Sequence, residues 1–222
     1  SVLALSVMAV STMAADIESA IDSGKVDQVR ALIAERPDLL NSRNDAGLTP
    51  VNYAALRGQT EVIKALVALG ADLTIGDNEG SIVIHNAAVS GSVEAVAYLL
   101  DRGVNVNAQD NFGMTAFHFA LNYRKPDVAR LLIERGANTN LRNSNGYSPL
   151  LYAVIGGDSS MVALMLENGA DPNVTNNEGV TPIFSAVSLG WMPILKMLLD
   201  HGAKTSIETE DGETPLFWAR GN

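Results

Sequence analysis

Along most of the chain, short apolar stretches with helical spacing alternate with polar turns that contain glycine. Residues 44–75 show one cycle of this pattern, NDAGLTPVNYAALRGQTEVIKALVALGADLTI. The pair Thr49–Pro50 predicts the start of a first helix, because the hydroxyl can cap an unpaired amide and proline suits the first helical position. A second helix is predicted over about 60–68 from apolar residues at helical spacing, which are Val62, Ile63, Leu66 and Val67. Gly70 is predicted to end it as a left-handed cap.

This cycle repeats with a step of 33 residues. The turn glycines are Gly47, Gly80, Gly113, Gly146, Gly179 and Gly212. Small alanines, which let two helices approach closely, keep the same step at Ala54, Ala87, Ala120, Ala153, Ala186 and Ala219. Three positions before each turn glycine stands a short polar residue, Asn44 in the first cycle, whose side chain can bond backbone amides and start the turn. A period held over this many copies predicts a repeat array in which each unit packs on its neighbours.

The repeating unit resembles the ankyrin repeat family. That family has a 33-residue period, a turn plus two helices, and a Thr-Pro-Leu-His-x-Ala signature. The nearest matches are TAFHFA at 115–120 and TPLFWA at 214–219, and GADPN at 169–173 matches the Gly-Ala-Asp-x-Asn ending. The resemblance covers about residues 16–222. It implies an all-α solenoid of stacked helix pairs joined by β-hairpin-like turns.

The period divides the chain into an end repeat, five full repeats and a partial repeat. The predicted boundaries are 16–43 for the N-terminal capping repeat, then 44–76, 77–109, 110–142, 143–175 and 176–208, with 209–222 as the partial repeat. In the capping repeat, charged residues such as Asp16 and Asp22 suit an outer face towards water, which an end repeat needs. Because 209–222 has no second helix, the protein is expected to continue beyond residue 222.

Two repeats depart from the pattern in ways that predict local weakness. In 77–109, Ile82 takes the place of the capping hydroxyl, so we expect a weaker helix start by roughly 1 kcal/mol. In 110–142, Arg124 stands where other repeats have glycine. If the backbone there is left-handed, arginine is strained relative to glycine.

Charge and cysteine content narrow the functional classes. The net charge is −10, and no basic stripe is present that could neutralise phosphates, which argues against nucleic acid. The acidic balance gives weak support to a basic partner, although a role in keeping the array in solution is the simpler interpretation. With no cysteine, disulfides, thiolate metal sites and cysteine catalysis are excluded.

Residues 1–15, SVLALSVMAVSTMAA, differ from everything that follows. An uncharged apolar run followed by small residues is typical of a secretory signal, here with cleavage expected after Ala14 or Ala15. A buried N-terminal helix is the alternative, and a membrane span fits less well because it needs about 20 apolar residues. The chain is therefore expected to begin partway through a signal. It is expected to be exported to a periplasm or the cell exterior, without membrane insertion after signal removal.

The sequence contains no set of residues that predicts catalysis. His85 and His118 occupy the last place of the Thr-Pro-Leu-His motif, where the resemblance implies hydrogen bonds to neighbouring turn backbone. His201 lies at a predicted helix C-terminus, where a cation suits the helix dipole. Metalloprotease, phosphate-loop and nucleophile-elbow motifs are missing. We therefore expect no enzymatic activity, no metal and no cofactor.

The resemblance implies binding through hairpin tips and first-helix ends that line a concave face. Carried over position by position, it yields candidate partner-binding residues Phe112, Met114, Asn122, Tyr123, Asn145, Tyr147 and Ile155. Several of these are aromatic or apolar at positions expected to face solvent, as is favoured at interface cores. The alternative is that some fold back onto the helix stack. Four aromatics in the slot before the repeat alanine are expected in the core instead: Tyr53, Phe119, Tyr152 and Trp218.

The function that best fits the sequence is a non-enzymatic scaffold that recognises a partner protein as a monomer. Acidic hairpin tips such as Glu79, Glu178 and Asp211 would steer that partner. Two alternatives stay open. The array could be the targeting arm of a larger enzyme that continues beyond residue 222, or a secreted effector directed at host proteins.

Overall fold

The computed structural model describes residues 16–220, and the expected signal segment at 1–15 lies outside them. The described residues form two compact units, with the division after Asn111. Both units consist of paired helices joined by turns, as the sequence predicted. None of the helices within 16–220 is long and apolar enough to cross a membrane.

Over residues 16–111, the first unit contains six α-helices and one short 3₁₀ turn. They are α1 (16–22), α2 (Val26–Glu35), the 3₁₀ turn Pro37–Asn41, α3 (Pro50–Leu56), α4 (Thr60–Ala68), α5 (Val83–Ser90) and α6 (Val93–Asp101). The first helix α3 packs on its own second helix, α4, and on the next first helix, α5, and α5 in turn packs on α6. The buried core includes Ile63, Leu66, Ile84 and Leu99.

The second unit contains seven α-helices arranged by the same rule. They are α7 (Ala116–Asn122), α8 (Pro126–Glu134), α9 (Pro149–Ile155), α10 (Ser159–Glu167), α11 (Pro182–Ser188), α12 (Met192–Asp200) and α13 (Pro215–Arg220). The first helices stack in the order α7, α9, α11, α13, and α10 packs on α12. Phe117 and Phe184 are the largest fully buried side chains of this unit.

The hairpin turns are held by the short polar residue that the sequence placed at their start. Asn143 is typical, since its Oδ1 accepts hydrogen bonds from the amides of Asn145 (3.0 Å) and Tyr147 (2.9 Å). Gly146 has φ +79°, the left-handed conformation that the turn requires. Neighbouring tips are joined by backbone bonds within each unit, for example from the Ser144 amide to the Phe112 carbonyl at 2.8 Å.

The predicted helix starts are observed, with one difference in how they are capped. Thr115 and Ser148 each accept a hydrogen bond from the third amide of their helix. Thr181 occupies the same position, yet its hydroxyl is buried and has no hydrogen-bond partner. At Ile82, which has no hydroxyl, the backbone amide donates to Nδ1 of His85 at 3.0 Å, as the Thr115 amide does to Nδ1 of His118 at 3.1 Å.

The expectation that the aromatics before the repeat alanine belong to the core was wrong. All four side chains are half-buried and border solvent: Tyr53, Phe119, Tyr152 and Trp218. The core is filled instead by side chains one or two positions earlier, such as Phe117 and Phe184. These first helices bury one face against the second helices. Because successive residues of a helix point in different directions, a shift of one position moves a ring from the core to the edge of the core.

Candidate functional site

All seven predicted contact residues lie in the second unit, and the structure leaves most of them exposed. Phe112, Tyr123 and Ile155 have 54%, 50% and 44% of their surface accessible. Asn122 and Asn145 are also exposed. Met114 and Tyr147 are only half-buried. Exposed apolar side chains that lie together in one patch are candidates for contact with a partner.

Met114 and Tyr147 fold back onto one ring that the sequence analysis had assigned to the core. The Tyr152 hydroxyl lies 3.5 Å from the Met114 sulfur, and Asn143 Nδ2 lies 3.3 Å from the same atom. The Tyr147 and Tyr152 ring centroids are 5.9 Å apart at an angle of 57°. The alternative that some predicted contact residues pack on the helix stack therefore applies to these two, which form the inner part of the candidate face.

Tyr123 pairs with a different ring, at the end of α7. Its centroid lies 6.4 Å from that of Phe119, and the two rings are inclined by only 25°. Asn122, the last residue of α7, is exposed beside them. The candidate residues thus form separate local groups: Tyr123 with Phe119, and Met114 and Tyr147 around Tyr152.

Ile155 and Tyr147 border a groove that the sequence analysis missed. This groove, of about 300 Å³, is also lined by Leu151, Val180, Ser185, Leu189 and Trp218. Ser185 stands in the slot before the repeat alanine, where both neighbouring repeats carry a ring, Tyr152 and Trp218. The small side chain of Ser185 leaves room there. The 33-residue period could have revealed this, since four of the six residues in the slot are aromatic and only Asn86 and Ser185 are not.

A smaller acidic recess adjoins the groove. It has a volume of about 170 Å³ and is lined by Glu178, Val180, Thr209, Glu210, Asp211, Glu213 and Trp218. Glu178, Val180 and Trp218 belong to both the groove and the recess. The Glu210 amide donates to the Glu178 carbonyl at 3.1 Å, which brings the two hairpin tips side by side.

The first unit presents different chemistry at the equivalent positions. Arg57 forms an ion pair with Asp22 at 2.7 Å, and the Tyr53 hydroxyl lies 3.1 Å from the same carboxylate. Burial, followed by the hydrogen bond to Asp22, raises the pKa of Tyr53 above its usual value. Side chains that satisfy one another in this way offer little apolar surface to a partner at this point of the first unit.

The motif histidines serve the fold, as the sequence analysis expected. Nε2 of His85 donates to the Ala108 carbonyl at 2.9 Å, and Nδ1 accepts from Ile82. Nε2 of His118 lies 3.2 Å from the Tyr147 carbonyl, and its Nδ1 accepts from the Thr115 amide. Burial lowers the pKa of His85 below its usual value and outweighs the opposing effects of the hydrogen bond to the Ala108 carbonyl and of the charges of Asp110 and Asp77. Within residues 16–220, no group of three or more histidine or acidic side chains could hold a metal ion.

Comparison with known proteins agrees with the repeat pattern. The sequence model described as "Ankyrin repeats" matches the chain in three overlapping copies, over 17–110, 84–176 and 153–222. Among solved structures, the chain is similar to the ankyrin repeat domain of Bcl-3, described as a unique member of the IκB protein family. The TM-score is 0.81 and the identity 30%, over 92% of this chain and 93% of that one.

Two curated proteins match over shorter stretches. The nuclear factor NF-κB p105 subunit of Rattus norvegicus is 40% identical over 48 residues, which is 22% of this chain and 5% of that protein. A putative ankyrin repeat protein of Rickettsia bellii is 34% identical over 79 residues, which is 33% of this chain and 46% of that protein. The chain thus spans less than half the length of either curated relative.

Proposed function

This chain belongs to the ankyrin repeat family, and we propose that it acts as a non-enzymatic protein that binds another protein through its second unit. Repeat arrays of this kind typically use extended surfaces to bind other proteins. The contact surface would comprise the hairpin tips and first-helix ends, which the family resemblance assigns to the concave side. Hereafter we call this surface the contact face, defined by Phe112, Met114, Asn122, Tyr123, Asn145, Tyr147 and Ile155.

The proposal rests on one observation, the exposure of large apolar side chains at these positions. Phe112 and Tyr123 expose about half of their surface to solvent. Aromatic side chains contribute much of the binding energy at protein interfaces because they desolvate a large area with few rotatable bonds. Met114 and Tyr147, already packed on Tyr152, would supply a pre-arranged base for the contact.

The test compares a contact-face variant with a matched surface variant. Phe112→Ala/Tyr123→Ala removes exposed rings and should leave the fold intact, since neither ring is buried. Leu69→Ala/Met192→Ala removes exposed apolar side chains elsewhere and serves as the control. Each whole chain is immobilised, exposed to envelope and secreted extracts of the source cell, and cross-linked.

A partner retained by the wild type and the control but lost by Phe112→Ala/Tyr123→Ala is the expected result. Its affinity for the variant should fall roughly tenfold or more, as for interface hot spots. A partner retained equally by all three chains would show that the contact face is wrong. Far-UV circular dichroism of each variant checks that helicity is unchanged.

We also propose that the protein is exported. The support is the apolar, uncharged character of residues 1–15 and the small residues at their end. Protein purified from the source cell should begin at Ala15 or Asp16 and should be enriched in the periplasmic or secreted fraction. A cytoplasmic protein that keeps the apolar segment would contradict export without affecting the binding proposal.

A further inference from the structure

The groove beside Ile155 and the adjoining acidic recess combine two kinds of surface that a basic peptide segment requires. The groove supplies apolar and aromatic walls from Leu151, Leu189 and Trp218. The recess supplies carboxylates. These carboxylates belong to Glu178, Glu210, Asp211 and Glu213. None of them forms an ion pair with another described side chain.

The aromatic walls are held in place before any ligand arrives. Trp218 Nε1 donates to Glu213 Oε2 at 2.6 Å, and the Trp218 ring meets the buried Phe184 edge to face at 5.2 Å between centroids. Tyr147 rests against Tyr152. Rigid walls reduce the ordering that binding would otherwise require.

The opening between these rings follows from one residue. In the slot before the repeat alanine, Ser185 interrupts a series in which Tyr152 precedes and Trp218 follows. A third ring at this position would occupy the groove, whose lining includes Ser185. The groove is therefore a local feature of this sequence and is not produced by the repeat itself.

We propose that the groove and the recess together bind a basic segment of the partner protein. An arginine or lysine would place its charged group among the recess carboxylates, where charge-assisted hydrogen bonds and the face of Trp218 both favour a cation. The aliphatic part of that side chain and a neighbouring apolar residue would lie along the groove. This inference rests on the proposed function, because it names the chemistry of the partner at one part of the same unit.

The first experiment selects ligands without assuming a partner. A library of random peptides displayed on phage is panned against the whole wild-type chain, with counter-selection on Glu178→Gln/Glu210→Gln. Selected peptides should contain arginine or lysine next to an apolar residue. Peptides without a basic residue, or peptides that bind both chains equally, would overturn the proposal.

A double-mutant cycle then tests for direct contact. A selected synthetic peptide and its arginine- or lysine-to-glutamine version are titrated against wild type and Glu178→Gln/Glu210→Gln. We expect each single change to weaken binding roughly tenfold, and the combined change to cost little more than one alone, since both remove the same contacts. Glu134→Gln/Glu167→Gln removes the same charge from exposed helix ends outside the groove and should bind like wild type.

The outcomes separate this inference from the proposed function. Additive losses in the cycle, or equal losses with the Glu134→Gln/Glu167→Gln control, would show that the recess acts only through overall charge and would overturn the inference. If Phe112→Ala/Tyr123→Ala still abolishes capture of the natural partner in that case, the contact face stands and only the basic-segment proposal fails. If no peptide binds and no partner is captured by the wild type, both proposals fail.

Discussion

Arg124 is the one described non-glycine residue with a left-handed backbone, at φ +53°. At the equivalent turn the other full repeats have glycine with positive φ, namely Gly58, Gly91, Gly157 and Gly190. A side chain in this conformation is strained. Arg124 also borders a cavity of about 220 Å³ together with Lys125 and Asp158. The turn at Arg124 is therefore left-handed, which is the condition under which the sequence predicts strain.

Replacing this arginine by glycine should stabilise the protein. We expect Arg124→Gly to raise the free energy of unfolding by roughly 0.5–1 kcal/mol, because relief of strain exceeds the extra entropy that glycine has when unfolded. The reciprocal change, Gly190→Arg, should lower it by a similar amount, since an added Cβ meets no atom within 4 Å there and only backbone strain is introduced. Chemical denaturation of both variants checks the pair, and a destabilised Arg124→Gly would disprove the strain argument.

His85 should make stability depend on pH. Burial lowers its pKa below 6.5 in the folded state, so the unfolded chain binds a proton more readily. Stability contributed by the neutral imidazole is thus fully present above about pH 6.5 and is lost as pH falls below it. His85→Asn is a suitable variant, because Asn52 fills the same slot in the first full repeat and donates to the Ile75 carbonyl at 2.9 Å.

The measurement is urea denaturation at a series of pH values between about 5 and 8. Wild type should lose stability faster than His85→Asn as the solution is acidified from about pH 6.5. Parallel curves for the two proteins would show that His85 does not titrate in this range. Restricting the comparison to pH above 5 keeps most carboxylates ionised, so that their titration does not obscure the result.

At the scale of the helix, two threonines in equivalent positions should respond differently to the same change. The Thr115 hydroxyl accepts a hydrogen bond from the backbone amide of His118 and lies 2.8 Å from Nδ1 of the His118 ring. The Thr181 hydroxyl, in contrast, is buried without a partner. Thr115→Val should lower the free energy of unfolding by about 1–2 kcal/mol. Thr181→Val should change it little or raise it slightly, because a buried unpaired hydroxyl is replaced by a methyl group.

Thermal and denaturant unfolding of the two variants test this difference. Equal losses would mean that the Thr181 hydroxyl forms a hydrogen bond in solution, for example to water. The sequence shows the same hydroxyl-plus-helix pattern at both places. The residues that follow differ, however: His118, whose Nδ1 lies 2.8 Å from the Thr115 hydroxyl, is replaced by Phe184 at the equivalent place, and a phenyl ring offers the Thr181 hydroxyl no nitrogen partner.

At the scale of the whole molecule, the described residues form two compact units, each stabilised by contacts between neighbouring helices. Leu150 is buried in α9 of the second unit. We expect Leu150→Ala to reduce the free energy of unfolding of that unit by about 2–5 kcal/mol through lost burial and the cavity left behind. In an array with nearest-neighbour stabilisation, this loss should be largest close to α9.

Native-state hydrogen exchange, read residue by residue, is the appropriate measurement. Amides of α7, α9 and α11 should lose protection, while those of α3 and α5 should exchange at wild-type rates. A uniform loss across both groups would show instead that the chain unfolds as one cooperative block. Ile84→Ala in α5 provides the mirror-image variant, with the largest loss expected in the first unit.

The sequence by itself determined the fold class, the approximate helix positions and the turn geometry. Each depends on local chemistry that repeats with the period: a polar residue that bonds the turn amides, a glycine that accepts positive φ, and a hydroxyl that starts the helix. Asn143, Gly146 and Ser148 perform these three roles in one repeat as predicted. Because such interactions span only a few residues, the order of residue types is sufficient to predict them.

Only the tertiary structure decided which rings belong to the core and where the surface opens. Tyr152 and Trp218 were expected in the stack but lie at its edge, and Met114 and Tyr147 pack on Tyr152 although they were expected to face water. The groove exists because Ser185 lies between two ring-bearing repeats, and the recess exists because adjacent hairpin tips bring Glu178 and Glu210 together. These features join side chains from different repeats, and their distances depend on how the helices pack rather than on any one segment.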